Sequence, residues 1–142
     1  MLQKARLILI FCLAVLMVVL TGCEASTVAE TTSETAVQAT AEVTTITALE
    51  AEQMMSDDAV IVDVRNQNEF SQGHIPGAVL LPAPEIGERA ESLLPDKNQV
   101  VLVYCRSGAR SAAAARELVL LGYNRVYDFG GIIDWHGDVV VG

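Results

Sequence analysis

The chain has 142 residues, 51% of them hydrophobic, with 9 basic residues against 18 acidic ones and a formal charge of -9. That length holds one ordinary domain and excludes two complete catalytic ones. The acidic balance lacks the broad positive surface that phosphate backbones require, so no nucleic-acid partner is expected. The three widely spaced cysteines, Cys12, Cys23 and Cys105, form no CxxC pair or Cys/His cluster, which argues against a disulfide scaffold and a structural zinc site.

Lys4 and Arg6 precede a continuous apolar run, LILIFCLAVLMVVL, from Leu7 to Leu20. The run is as long as the apolar region of an export signal and shorter than the roughly 20 residues that span a bilayer. It ends in Leu20-Thr21-Gly22-Cys23, which resembles the lipobox of bacterial lipoproteins: an apolar residue, two small ones, then the cysteine that is acylated before cleavage. The resemblance implies a signal peptide over 1–22, a membrane anchor through lipid on Cys23, and an extracytoplasmic location. Stable anchoring needs more than one acyl chain. Removing Lys4 and Arg6 from the 9 basic residues leaves 7 against 18 acidic, a charge of -11, so attraction to anionic lipid is not the expected membrane mechanism.

From Glu24 to about Thr45 the chain is rich in Thr, Ala, Glu and Ser and has no aromatic residue. Such a stretch cannot bury enough surface to offset its chain entropy, so residues 23–45 are expected to be a disordered tether. As a flexible coil of about 22 residues it would reach on the order of 25 Å.

The remaining residues, 46–142, alternate strand and helix signals. Thr47-Ala48-Leu49-Glu50 has capping-box form and opens a helix through Met55. Val60 to Val64 and Val100 to Tyr104 are short β-branched runs of the kind buried on both faces of a parallel sheet, and Val79 to Leu81 is a third. Helices are expected over Pro84 to Leu94 and over Ser111 to Leu121, the latter stopped at Gly122, and a last strand over Tyr123 to Phe129. The pattern predicts a small α/β domain, a mostly parallel central sheet with helices on both faces.

In such sheets ligands bind beyond the carboxyl ends of strands, so chemistry is expected directly after Tyr104. The segment reads Cys105-Arg106-Ser107-Gly108-Ala109-Arg110-Ser111. A cysteine between a buried strand and a helix N-terminus meets unpaired amides and the positive end of the helix dipole, which favour the thiolate. Gly108 allows a tight loop with inward amides, and Arg106 and Arg110 add positive charge, so the segment reads as an anion cradle around a nucleophile. The Debye length is about 8 Å in physiological salt, so these nearest charges decide the local field despite the net charge.

YCRSGARS resembles the active-site loop of the rhodanese sulfurtransferases. The resemblance continues in family order with Asp63-Val64-Arg65, Glu69-Phe70, Gly73-His74-Ile75-Pro76-Gly77-Ala78, Gly130-Gly131-Ile132 and Trp135, and so covers the whole domain. It implies that Cys105 attacks the outer sulfur of a small anionic donor such as thiosulfate, sulfite leaves, and a Cys105 persulfide is held by loop amides until cyanide, a thiol or a partner protein takes the sulfur. Ser107, Gly108, Ala109, Arg106 and Arg110 then bind substrate, and Asp63 and Arg65 support the site. No metal or organic cofactor is implied. His74, Gly130, Gly131 and Trp135 read as turn and packing residues.

Phosphatases and arsenate reductases of the same fold carry a longer Cys-x5-Arg loop, whereas Cys105 to Arg110 is Cys-x4-Arg and fits the sulfurtransferase. The loop's chemistry is shared by a turnover enzyme and a stoichiometric persulfide carrier, while its intact form argues against a mere partner-binding module. After lipidation and cleavage, Cys105 would be the single reactive thiol, so any disulfide would involve another molecule.

Overall fold

The computed structural model describes residues 41–55 and 58–142. The expected export signal, Cys23 and most of the expected tether lie outside the described residues. The strands are β1 (Thr44–Thr45), β2 (Ala59–Asp63), β3 (Val79–Leu80), β4 (Val100–Cys105) and β5 (Val126–Gly131). The α-helices are α1 (Ala48–Met54), α2 (Gln67–Gln72), α3 (Ile86–Leu93) and α4 (Ala109–Leu120). The five strands form one sheet of order β1-β5-β4-β2-β3, every neighbouring pair parallel. This is the α/β domain that the strand and helix pattern predicts.

β4 is the central strand and all six of its residues are buried. Its period of two distributes them between two apolar layers. Val101, Val103 and Cys105 pack on one face with Val62, Ala114, Ala115 and Leu118 beneath α3 and α4. Leu102 and Tyr104 pack on the other with Ala51 of α1, Ile75 and Phe129. Each fully buried Val or Leu contributes about 1.5–3 kcal/mol of transfer free energy, so these alternating rows hold the helices on both faces.

Local chemistry sets the element ends. Thr47 and Glu50 make the expected capping box: the Glu50 amide donates to Thr47 Oγ1 at 3.2 Å and the Thr47 amide to Glu50 Oε2 at 2.7 Å. Gly122, at φ 93°, stops α4 as expected. Its amide donates to Val119 O and that of Tyr123 to Leu118 O, a Schellman closure that needs the left-handed residue.

Several elements depart from expectation. β1 lies inside the stretch expected to be tether up to about Thr45: Thr44 and Thr45 pair with Tyr127 and Asp128. Two paired residues at a sheet edge are too short to leave a periodic signal. The last strand begins at Val126, not Tyr123, because Tyr123 turns inward and its hydroxyl donates to Leu94 O at 2.7 Å. A short 3-10 turn, Ala83–Glu85, precedes α3 where one helix was expected from Pro84. α4 begins at Ala109, two residues before the expected Ser111. α2 was not anticipated at all, although Asn66 and Glu69 form a second capping box.

Behind β4 lies a buried ion pair. Asp63 ends β2, and its carboxylate accepts from Arg65 Nη2 at 2.6 Å and Nε at 2.9 and 3.0 Å. The same guanidinium donates to Gly73 O at 2.7 Å and lies 5.6 Å from the centre of the Tyr104 ring. Tyr104 Oη in turn accepts from the Ile75 amide at 3.2 Å. The strand ends and the Gly73–Ala78 loop are thereby held as one unit. Asp63→Ala would leave Arg65 buried with only a carbonyl partner, and breaking such a pair from one side costs about 3–5 kcal/mol. Denaturant unfolding is expected to show a loss of that size, and a loss below about 1 kcal/mol would contradict the assignment.

Candidate active site

The site begins where β4 stops. Cys105 is 1% exposed and faces Gly131 of β5, after a register shift between Val103 and Cys105. The chain then curls back through Arg106 and Ser107 to Gly108, whose φ of 100° allows the reversal before α4 starts. The Gly108 amide donates to Cys105 Sγ at 3.1 Å.

Two glycines on β5 make the curl fit. A Cβ on Gly131 would sit 2.4 Å from Arg106 O and 2.7 Å from Ser107 Cα, so a side chain there would collide with the loop backbone. Gly130 has φ 85° and its amide donates to Asp128 Oδ1 at 3.0 Å. Fully buried Ser111 ties the same parts together, its hydroxyl lying 2.9 Å from Gly108 O and 3.1 Å from Gly130 O.

Burial alone would push the Cys105 thiol up. Hydrogen bonds from the Ser111, Ser107 and Gly108 amides, with a further contribution from the Ser111 hydroxyl, outweigh it and bring the thiol below its ordinary value. Because α4 starts early, Ser111 falls in its first turn, where amides have no partner within the helix. The cysteine is therefore both enclosed and activated.

The expected residues do not all act alike. Cys105, Ser107 and Gly108 are brought together as the sequence implies, while Ala109 is exposed as the first residue of α4. Arg106 is exposed and lines a cleft of about 370 Å³ with Arg65, Glu69, Ile132 and Ile133. Asp63 and Arg65 lie beneath the loop as a structural pair. Arg110 is not an unpaired cation: its Nη1 and Nη2 each donate at 2.7 Å to the two carboxylate oxygens of Glu69. That pairing holds the Glu69 carboxyl down at about 2. His74 stacks on Phe70 with ring centres 3.7 Å apart and exchanges backbone hydrogen bonds with Val140, so it serves packing as expected. Trp135 packs near Phe129.

Sequence reasoning assigned no role to Ser111 or Glu69, although both stand in the quoted motifs. For Glu69 a signal was present: Asn66-Gln67-Asn68-Glu69 has the spacing of a capping box, which would have placed the carboxylate at a helix N-terminus.

The model of the rhodanese-like domain matches residues 47–138. The chain belongs to the rhodanese-like family. Among curated rhodanese-like relatives, it is 40% identical over 73 residues to "Thiosulfate sulfurtransferase PspE" of Escherichia coli, covering 51% of this chain and 70% of that protein. It is 39% identical over 79 residues to "Thiosulfate sulfurtransferase GlpE" of Coxiella burnetii, covering 55% and 72%. A solved structure described as "rhodanese with anions from E. coli" is 37% identical with a TM-score of 0.57, covering 59% of this chain and 99% of that one. A rhodanese-related protein of Thermoplasma volcanium is 30% identical with a TM-score of 0.62, covering 70% and 99%.

Alkylation of Cys105 by iodoacetamide should rise with pH, since only the thiolate reacts. Its midpoint is expected below the roughly 8.5 of a free cysteine. In Ser111→Ala the loss of one contribution to the thiolate should move that midpoint upward by about one pH unit, and a midpoint unchanged or lowered would refute the role of Ser111.

Proposed function

We propose that this rhodanese-like domain is a sulfurtransferase that carries a sulfane sulfur as a persulfide on Cys105. The observation that carries the reading is the enclosed Cys105 Sγ, 3.1 Å from the Gly108 amide and at the first turn of α4. The thiolate attacks the outer sulfur of thiosulfate or a similar donor. A new S-S bond forms, the old one breaks, and its electron pair leaves with sulfite. The terminal sulfur carries the negative charge and falls among the amides of Ser107, Gly108 and Ser111. An acceptor, cyanide or a thiolate, then attacks that terminal sulfur and returns Cys105 to its thiolate form. His74 is engaged with Phe70 and Val140, and an ionised thiol needs no general base.

The relatives named thiosulfate sulfurtransferase support this reading. A carrier role is the second reading, favoured by a relative described as "Putative sulfur carrier protein YrkF" of Bacillus subtilis, 38% identical over 84 residues, of which the chain spans 44%. A phosphatase or arsenate reductase is disfavoured by the Cys-x4-Arg loop. Mass spectrometry after thiosulfate treatment is expected to find one added sulfur on Cys105 and none in Cys105→Ser. Absence of that sulfur would reject both sulfur readings, and multiple turnover with cyanide would select the enzyme over the carrier.

We further propose that residues 1–22 direct export and that lipid on Cys23 anchors the domain outside the cytoplasmic membrane. The order of basic start, apolar run and lipobox supports this. In a bacterial host, Cys23→Ser is expected to move the protein out of the detergent phase and to abolish labelling by a fatty-acid probe. Retained labelling would overturn the anchor.

A further inference from the structure

Three arginines border the Cys105 loop, and two of them are neutralised by fixed carboxylates. Arg65 is held by Asp63, both side chains being almost fully buried. Arg110 is gripped by both oxygens of Glu69. Glu69 is itself fixed: it is the third residue of α2, its amide donates to Asn66 Oδ1 at 2.8 Å, and its Oε2 also accepts from the Asn66 amide at 3.3 Å. The carboxylate is thus held in place from the helix side and cannot easily swing away. It also lines the cleft of about 370 Å³ in which Arg106 stands. Arg106 makes no ion pair among the described residues.

The consequence is a low positive charge around an anionic nucleophile. With the two pairs each summing to zero, Arg106 alone offsets the Cys105 thiolate. A dianion that enters the cleft meets one uncompensated cation, the thiolate it must approach, and the Glu69 carboxylate beside its path. A monoanionic or neutral donor carries less of this penalty, because Coulomb repulsion scales with the donor's charge.

We propose that Glu69 is a specificity-determining residue that selects organic sulfane donors of one or no negative charge, thiosulfonates and persulfides, over the dianion thiosulfate. The inference rests on the sulfurtransferase reading of the same site. With a thiosulfonate, the Cys105 thiolate bonds the outer sulfur, the S-S bond breaks, and a sulfinate leaves with the electron pair. With a persulfide RSSH, the thiolate leaves as RS⁻ and the outer sulfur keeps its proton. Neither step needs an oxidant or a reductant.

The test is Glu69→Gln, which keeps an oxygen for Arg110 and Asn66 and removes the charge. Its kcat/KM for thiosulfate, divided by that for methanethiosulfonate, is expected to rise on the order of 5-fold, chiefly through KM, and the rise should shrink at high salt. Glu69→Asp retains the charge and should keep the ratio near that of the unsubstituted protein, whereas damage to the α2 cap would disturb both variants. A second readout needs no sulfur transfer: the rate of alkylation of Cys105 by iodoacetate relative to iodoacetamide, followed on the Cys105 peptide. That ratio should rise severalfold in Glu69→Gln and stay low in Glu69→Asp. An unchanged ratio overturns the charge role of Glu69 even in a protein that turns over thiosulfate. A raised ratio in a protein that accepts sulfur from no donor overturns the sulfurtransferase reading and leaves the charge role standing.

Discussion

Everything at the reactive end of the molecule depends on how closely β5 approaches the turn after β4. The Gly131 backbone lies so near Arg106 and Ser107 that the volume of one methyl group would fill the gap. This contact forces the chain after Cys105 into a small arc instead of an open loop. The arc brings the Ser107, Gly108 and Ser111 amides toward one sulfur atom, and Ser111, from the first turn of α4, fastens it to the carbonyls of Gly108 and Gly130. Activation of the thiol is therefore a packing result before it is an electrostatic one.

The charged groups follow a different logic. Asp63 and Arg65 are buried together and join β2 to the Gly73–Ala78 loop, so their role is to keep the platform rigid. The Glu69–Arg110 pair lies nearer solvent and is built from two elements 41 positions apart in the chain. Pairs of the exposed kind add little to stability, which leaves their effect on local potential as the larger consequence. In a chain of this acidity, a site that binds anions depends on a few cations at short range.

The fold was largely legible because its signals are local and strong. β4 and β2 are continuous β-branched runs, and Thr47 with Glu50 and Gly122 mark helix ends by chemistry that acts within one turn. What escaped detection is non-local. Thr44 and Thr45 become a strand only because β5 offers them an edge, and Tyr123 leaves the strand pattern because a carbonyl on another element accepts its hydroxyl proton. The site divides in the same manner. Cys105 and its loop could be found from one stretch of eight residues, whereas the partner of Arg110 comes from α2 and is invisible to any window on the loop. The resemblance to the rhodaneses named Glu69 without saying what it touches.

The two-residue period of β4 has a consequence for how this protein can vary. Cys105 shares a face with Val101 and Val103, and Leu102 and Tyr104 share the other. Whether the sulfur meets the loop amides is therefore a question of parity. Gaining or losing two residues in the strand would preserve the facing of the thiol, while gaining or losing one would turn it toward Phe129 and exchange the two apolar rows. Changes in the length of this strand are thus filtered by even and odd number, a constraint on descent and on engineering that is set by counting along the backbone.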